Sequence, residues 1–253
     1  MTLRLSVCID AVLAKLPLPD ACALVASAGI PAIEFWKWWE RDLDEVHRMC
    51  AAHDLQVAAT CTKFVSLVDP SVRKDYLQGL RESLVAARQL GCHVLISQVG
   101  DAIPGVDRAV QRQSLVEGLR EAAKILEGSD VRLAIEPLNV LVDHPGYFLV
   151  ASDEAFDMVR EVDSPHIAVT YDIYHQQISE GHLIHRIEQN IDCIAHFHAA
   201  GNPGRHELTR GEINYPEVFR AIAGKNYNGF VGLEYWPVDE PLQGLQDVVQ
   251  WHL

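Results

Sequence analysis

LAIEPLN, Leu133 to Asn139, places two opposed demands side by side. Leu133, Ala134 and Ile135 read as the end of a buried strand. Glu136 follows at once, and Pro137, which has no backbone N–H to give to a sheet, stops the strand. A carboxylate at the edge of an apolar interior is costly unless something pairs with it. VGLEYWP repeats the pattern near the C-terminus, with Glu234 after Val231, Gly232 and Leu233 and with Pro237 close behind.

Short β-type runs of the same kind occur along the whole chain. They are Leu3–Ile9, Ala32–Phe35, Gln56–Thr60, Val94–Gln98, Arg132–Glu136, Ile167–Asp172, Ile194–His198 and Phe230–Glu234. These eight runs recur every ~25–40 residues, the length of one βα unit. The segments between them have helical spacing. Leu77, Leu80, Leu84 and Ala87 share one face and Gly91 follows as a stop; Leu115, Leu119, Ala122 and Leu126 repeat this before Gly128, and Leu183, Ile187 and Ile191 do so later. Asp20, Asp42 or Asp44, and Ser152 stand where helix N-caps are wanted.

Nearly apolar strands separated by amphipathic helices imply a parallel sheet covered by helices. Eight of them favour closure into an α/β fold of the single (β/α)8 TIM-barrel type, with residues 1–253 as one domain and the active site at the C-terminal ends of the strands. An open doubly wound sheet is the alternative. It is disfavoured because no G-x-G-x-x-G follows the first run.

The 253 residues include 35 Asp and Glu against 21 Lys and Arg, a formal net charge of −14. That argues against tight duplex nucleic-acid binding and against anionic membrane surfaces. Six dispersed cysteines without a C-x-x-C pair read as reduced core thiols. The N-terminal MTLRLSVCIDAVLAKL lacks the pattern of a secretory signal, and no apolar run approaches the ~20 residues of a membrane span, so a cytoplasmic protein is expected.

On a barrel, the last four runs end in Glu136, Asp172, His198 and Glu234 along one continuous arc of the rim. Three carboxylates cannot share a dry pocket unpaired, whereas a divalent cation removes the conflict. Three carboxylates and one imidazole suit Mn²⁺, Mg²⁺, Co²⁺ or Zn²⁺. In IAHFH, alternation sends His196 and His198 to the same face, and either can be the ligand.

YDIYH (Tyr171–His175), IEPLN (Ile135–Asn139), RGEINY (Arg210–Tyr215) and GLEYWP (Gly232–Pro237) resemble the hydroxypyruvate isomerase family within the xylose-isomerase-like barrel superfamily. The resemblance is nearly continuous from about Leu133 to Pro237 and looser in the first hundred residues. It implies one divalent metal ion held by Glu136, Asp172, His198 and Glu234, with the two glutamates as the acid–base pair and His175 and Arg205 contacting substrate. Two features depart from the family. His198 stands where hydroxypyruvate isomerases tend to carry Gln and is similar to the ketose 3-epimerases, and CTKFVSLVDP after the third run is unlike the usual isomerase loop.

The expected reaction is proton transfer in an α-hydroxycarbonyl compound through an enediolate. Arg205, His206 and Arg210, grouped in a very acidic chain, favour a small anionic 2-oxo-3-hydroxy acid such as hydroxypyruvate, because guanidinium recognises carboxylate. Arg210 pairing with Glu207 or Glu212 is the alternative for that residue, and Lys63 is a weaker candidate for anion binding. Competing functions are a ketose 3-epimerase, a metal-dependent endonuclease for damaged DNA, and a barrel that binds without turnover. Trp36, Trp38 and Trp39 in FWKWWE can wall a pocket, pack under a loop or support a homo-oligomer, and Glu34 resembles a strand-two acid common in the superfamily, with a purely structural role as the alternative.

Overall fold

A computed structural model describes residues 3–251. Eight strands, β1 (Arg4–Cys8), β2 (Ala32–Phe35), β3 (Gln56–Cys61), β4 (Val94–Ser97), β5 (Arg132–Ile135), β6 (Ile167–Asp172), β7 (Ile194–Ala199) and β8 (Phe230–Leu233), pair in sequence order. All pairs are parallel, and β8 returns to β1 to close the barrel. Nine helices among the described residues surround it: α1 (Leu18–Ser27), α2 (Leu43–Ala52), α3 (Arg73–Leu90), α4 (Arg108–Leu126), α5 (Ser152–Val162), α6 (Ile173–Ser179), α7 (Leu183–Asn190), α8 (Tyr215–Gly224) and α9 (Pro241–Val249). Each of the eight runs becomes a strand. The chain is a (β/α)8 TIM barrel.

Strand parity divides the interior. Leu133 and Ile135 on β5, Val169 and Tyr171 on β6, and Val231 and Leu233 on β8 join the large apolar layer between sheet and helices. Ala134, Ala168 and Ala195 form a separate small cluster on the other face, inside the barrel. Counting on by two from Ala134 puts Glu136 on the lumen side, just past the end of the strand. The same register sets Asp172 beside His198 and His198 beside Gly232 across β6, β7 and β8.

The helices begin and end for local reasons. Asp42 caps α2 by accepting from the backbone N–H of Asp44 (3.0 Å) and Glu45 (3.2 Å). Gly91 takes the left-handed conformation, φ 63°, that closes α3. Two expected caps lie inside the helix instead. Asp20 falls in the first turn of α1, whose cap position is Pro17, and Ser152 is the first residue of α5, its hydroxyl donating to Glu180 at 2.7 Å. All six cysteines are buried and free. No helix among the described residues is long and apolar enough to cross a membrane.

Candidate active site

The carboxyl ends of β5 to β8 deliver Glu136, Asp172, His198 and Glu234 to one place, each at most 6% exposed. His198 is the hub. Its Nδ1 lies 2.9 Å from Glu136 Oε1 and 3.6 Å from Glu234 Oε2. One ligand atom from each of Glu136, Asp172 and His198 lies within 4.8 Å of the others. Both histidines of IAHFH face the lumen, but only His198 reaches this cluster. His196 sits one pleat lower, with Nε2 2.7 Å from Glu34 Oε2.

Glu34, at the end of β2, backs the hub. Its carboxylate crosses the barrel to stand 3.1 Å from His198 Nε2 and accepts a hydrogen bond from Ser6 Oγ at 2.9 Å. Burial pushes its carboxyl up, but the two imidazoles outweigh that and hold it well below the usual carboxylate range. The crossing needs a residue without a side chain where the carboxylate passes β8. A Cβ on Gly232 would lie 2.7 Å from Glu34 Oε2 and 2.8 Å from its Cδ. A carboxylate behind one imidazole nitrogen orients the ring and raises the basicity of the other, an arrangement common behind metal-bound histidines.

The four rim groups have different proton affinities. Burial raises the carboxyls of Glu136 and Asp172; the charge of Glu234 adds to both, and that of Asp172 adds to Glu136. Burial also works on Glu234, but His198, Arg205 and the hydrogen bond from Trp36 leave it lowered. Burial opposes charge on His198, yet Glu234, Glu34 and Glu136 hold its pKa well above the ordinary histidine value. Crowded, buried carboxylates around an imidazole are a donor set that a hard or borderline divalent cation fits, by oxygen and nitrogen ligation and by charge.

Arg205 and His175 join the same site. Arg205, in the left-handed backbone region at φ 56°, sends its guanidinium into a charge-paired hydrogen bond with Glu234 Oε2, 3.8 Å from Asp172 Oδ2 and over the Tyr174 ring. Asp172 Oδ1 caps α6 by accepting from the N–H groups of Tyr174 (2.8 Å) and His175 (3.1 Å), and the His175 ring lines the cavity. Burial together with the charge of Arg205 keeps the pKa of His175 well below its usual value, so the ring is neutral. These groups line a cavity of about 270 Å³ that also meets Gln98, His144, Trp36 and Trp236.

The tryptophans divide. Trp36 walls the cavity edge-on to Trp236 (6.0 Å) and donates from Nε1 to Glu234 Oε1 at 2.6 Å. Trp38 and Trp39 do not line it; they pack against each other, Trp38 donating to Ser83 and Trp39 backing Phe64, which itself lines the cavity. Lys63 is paired with Glu82, and Arg210 with Asp239 at 2.6 Å, so neither faces the cavity. Four contributions were not apparent from sequence: the contact of Glu34 with both imidazoles, the hydrogen bond from Trp36, the hold of Asn139 on His175, and His144 in the wall. Gln98 ends the fourth run, and the strand-end rule applied to the last four runs would have found it too.

A family model described as xylose isomerase-like TIM barrel matches residues 22–252. Hydroxypyruvate isomerase of Escherichia coli (strain K12) is 32% identical over 230 residues, covering 87% of this chain and 88% of its own. The 2-oxo-tetronate isomerase of Cupriavidus necator is 31% identical over 227 residues, 86% of each chain. A crystal structure from Brucella melitensis, described as AP endonuclease, family 2, superposes with a TM-score of 0.93 at 28% identity over 100% of both chains.

Proposed function

The chain belongs to the xylose isomerase-like TIM-barrel family, and on that premise we propose that it is an isomerase of hydroxypyruvate or a closely related 2-oxo-3-hydroxy acid. One observation carries the reading. Glu136 and Glu234 approach the same imidazole nitrogen, at 2.9 and 3.6 Å, in a small cavity that also presents a buried guanidinium. Two carboxylates with opposed proton affinities form the acid and base of a proton transfer between adjacent carbons.

A divalent cation held by Glu136, Asp172, His198 and Glu234 would polarise the substrate carbonyl and neutralise the crowded carboxylates. The protein supplies the rest. One of the two glutamates takes the proton from the hydroxyl-bearing carbon to give an enediolate, and a glutamate returns a proton to the neighbouring carbon. Arg205 recognises the substrate carboxylate. His175, neutral, offers its Nε2 to a substrate oxygen. Trp36 and Trp236 give the cavity an apolar wall, which limits water beside the enediolate. A volume near 270 Å³ suits an acid of a few carbons, lying below the ~300–1,000 Å³ of drug-sized sites.

His198 favours a second reading, a ketose 3-epimerase, which uses the same glutamate pair on a single carbon. The endonuclease description of the Brucella structure runs against the net charge of −14. Incubation with Mn²⁺ in D₂O separates the enzymatic readings. The aldehyde isomer of hydroxypyruvate forms with deuterium on the former carbonyl carbon, and Glu136→Gln and Glu234→Gln abolish this. Deuterium entering C3 of a ketose, with hydroxypyruvate untouched, overturns the proposal in favour of the epimerase.

A further inference from the structure

His175 Nε2 is buried without a hydrogen-bond partner, on a ring that lines the cavity. Asp172 Oδ2, 3.6 Å away, is beyond hydrogen-bond reach. The other ring nitrogen is fully engaged. Nδ1 lies 2.7 Å from Asn139 Nδ2 and 3.3 Å from the Asn139 backbone nitrogen.

The remaining contacts of Asn139 settle which end of its amide meets the ring. Oδ1 accepts from the backbone N–H of Val142 (2.9 Å) and Asp143 (3.2 Å). The amide nitrogen therefore faces the other way, and it gives its second hydrogen to Asp143 Oδ2 at 2.7 Å. That carboxylate oxygen also accepts from Tyr174 OH at 2.9 Å, so it is an acceptor for both neighbours. Every donor and acceptor of the Asn139 side chain is thus assigned. Both groups that meet His175 Nδ1 are donors, so Nδ1 must present a lone pair. In a neutral imidazole the proton then lies on Nε2.

We propose that Asn139 is a positioning residue that fixes His175 as the Nε2–H tautomer, so that the ring presents a hydrogen-bond donor, and not a base, to a substrate oxygen. Asp143 holds Asn139 in this role, and Tyr174 holds Asp143. A ring locked this way cannot take the substrate proton through Nε2, which leaves proton transfer to the glutamates. The substrate contact rests on the isomerase reading; the tautomer does not.

The two parts are tested separately. Long-range ¹H–¹⁵N correlation spectra of the ¹⁵N-histidine-labelled full-length protein, with the His175 signals assigned from their loss in His175→Gln, report the tautomer directly. An unprotonated Nδ1 and a protonated Nε2 are expected. A protonated Nδ1 overturns the proposal. In the double variant Asn139→Asp/Asp143→Asn the 139–143 hydrogen bond survives with reversed polarity, while a carboxylate now meets Nδ1. The spectrum should then show Nδ1 protonated, and KM for hydroxypyruvate should rise about tenfold, the loss of one hydrogen bond to substrate. An inverted tautomer with unchanged KM and kcat refutes the substrate contact alone.

Discussion

Gly232→Ala tests how the imidazole hub is supported. The added methyl would stand 2.7 Å from Glu34 Oε2 and 2.8 Å from Cδ, and closer still to Oε1, roughly an ångström inside ordinary contact. Two responses are open. Glu34 can swing away, abandoning Ser6, His196 and His198, and breaking a buried charge pair costs about 3–5 kcal/mol. Alternatively β8 shifts outward between β7 and β1, and overpacking of this kind costs about 1–3 kcal/mol. The cheaper mixture of the two gives a loss of about 2–4 kcal/mol. At about 2–4 °C per kcal/mol for a chain of this size, the Tm of the metal-free protein should fall by roughly 5–15 °C. A double-mutant cycle with Glu34→Ala, followed by calorimetry and urea unfolding, isolates the cause. With the carboxylate gone the methyl has room, so the two changes should be coupled by about 2 kcal/mol. Additivity within about 0.5 kcal/mol refutes the steric argument.

Four further outcomes follow from the same geometry. Arg205→Ala should raise KM for hydroxypyruvate about 10–100-fold in steady-state assays, because a charged hydrogen-bonding partner is lost from a buried site. Trp36→Phe keeps the wall but removes the 2.6 Å bond to Glu234, and kcat should fall about tenfold with KM little changed, since the loss touches the proton-transfer group. Lys63→Ala and Arg210→Ala should leave both parameters within twofold, because these cations are paired away from the cavity. Thermal melts of the metal-free protein should show stability falling as pH rises above neutrality. The raised pKa of His198 contributes stability that is complete below the ordinary histidine value and is lost as pH climbs through the raised one. Glu234, held low, acts in the opposite window, its share being lost only as pH drops below the usual carboxylate range.

The barrel was legible because strands buried on both faces must be apolar for their whole length, and Leu133–Ile135 and Val231–Leu233 carry that signal without tertiary help. The rim acids were legible for a related reason: parity and a following proline fix where Glu136 and Glu234 emerge. Contacts made across the barrel were not. Nothing in AIEF says that Glu34 will meet two imidazoles from β7, because that depends on closure and on the bare Cα of Gly232. The cap positions of α1 and α5 were misplaced because Asp20 and Ser152 are cap-type residues inside first turns, where Pro17 and Ala151 hold the cap position. Lys63 and Arg210 show the reverse: a cation in a loop after a strand has several acids within reach, and only the fold decides among them.

Titration of Mn²⁺ into the metal-free protein, read by calorimetry, tests most directly whether the rim groups of β5 to β8 act together. One site per chain is expected, weakened at least about 100-fold by Glu136→Gln or Asp172→Asn. Absence of binding at millimolar Mn²⁺, or a site indifferent to both substitutions, would contradict it.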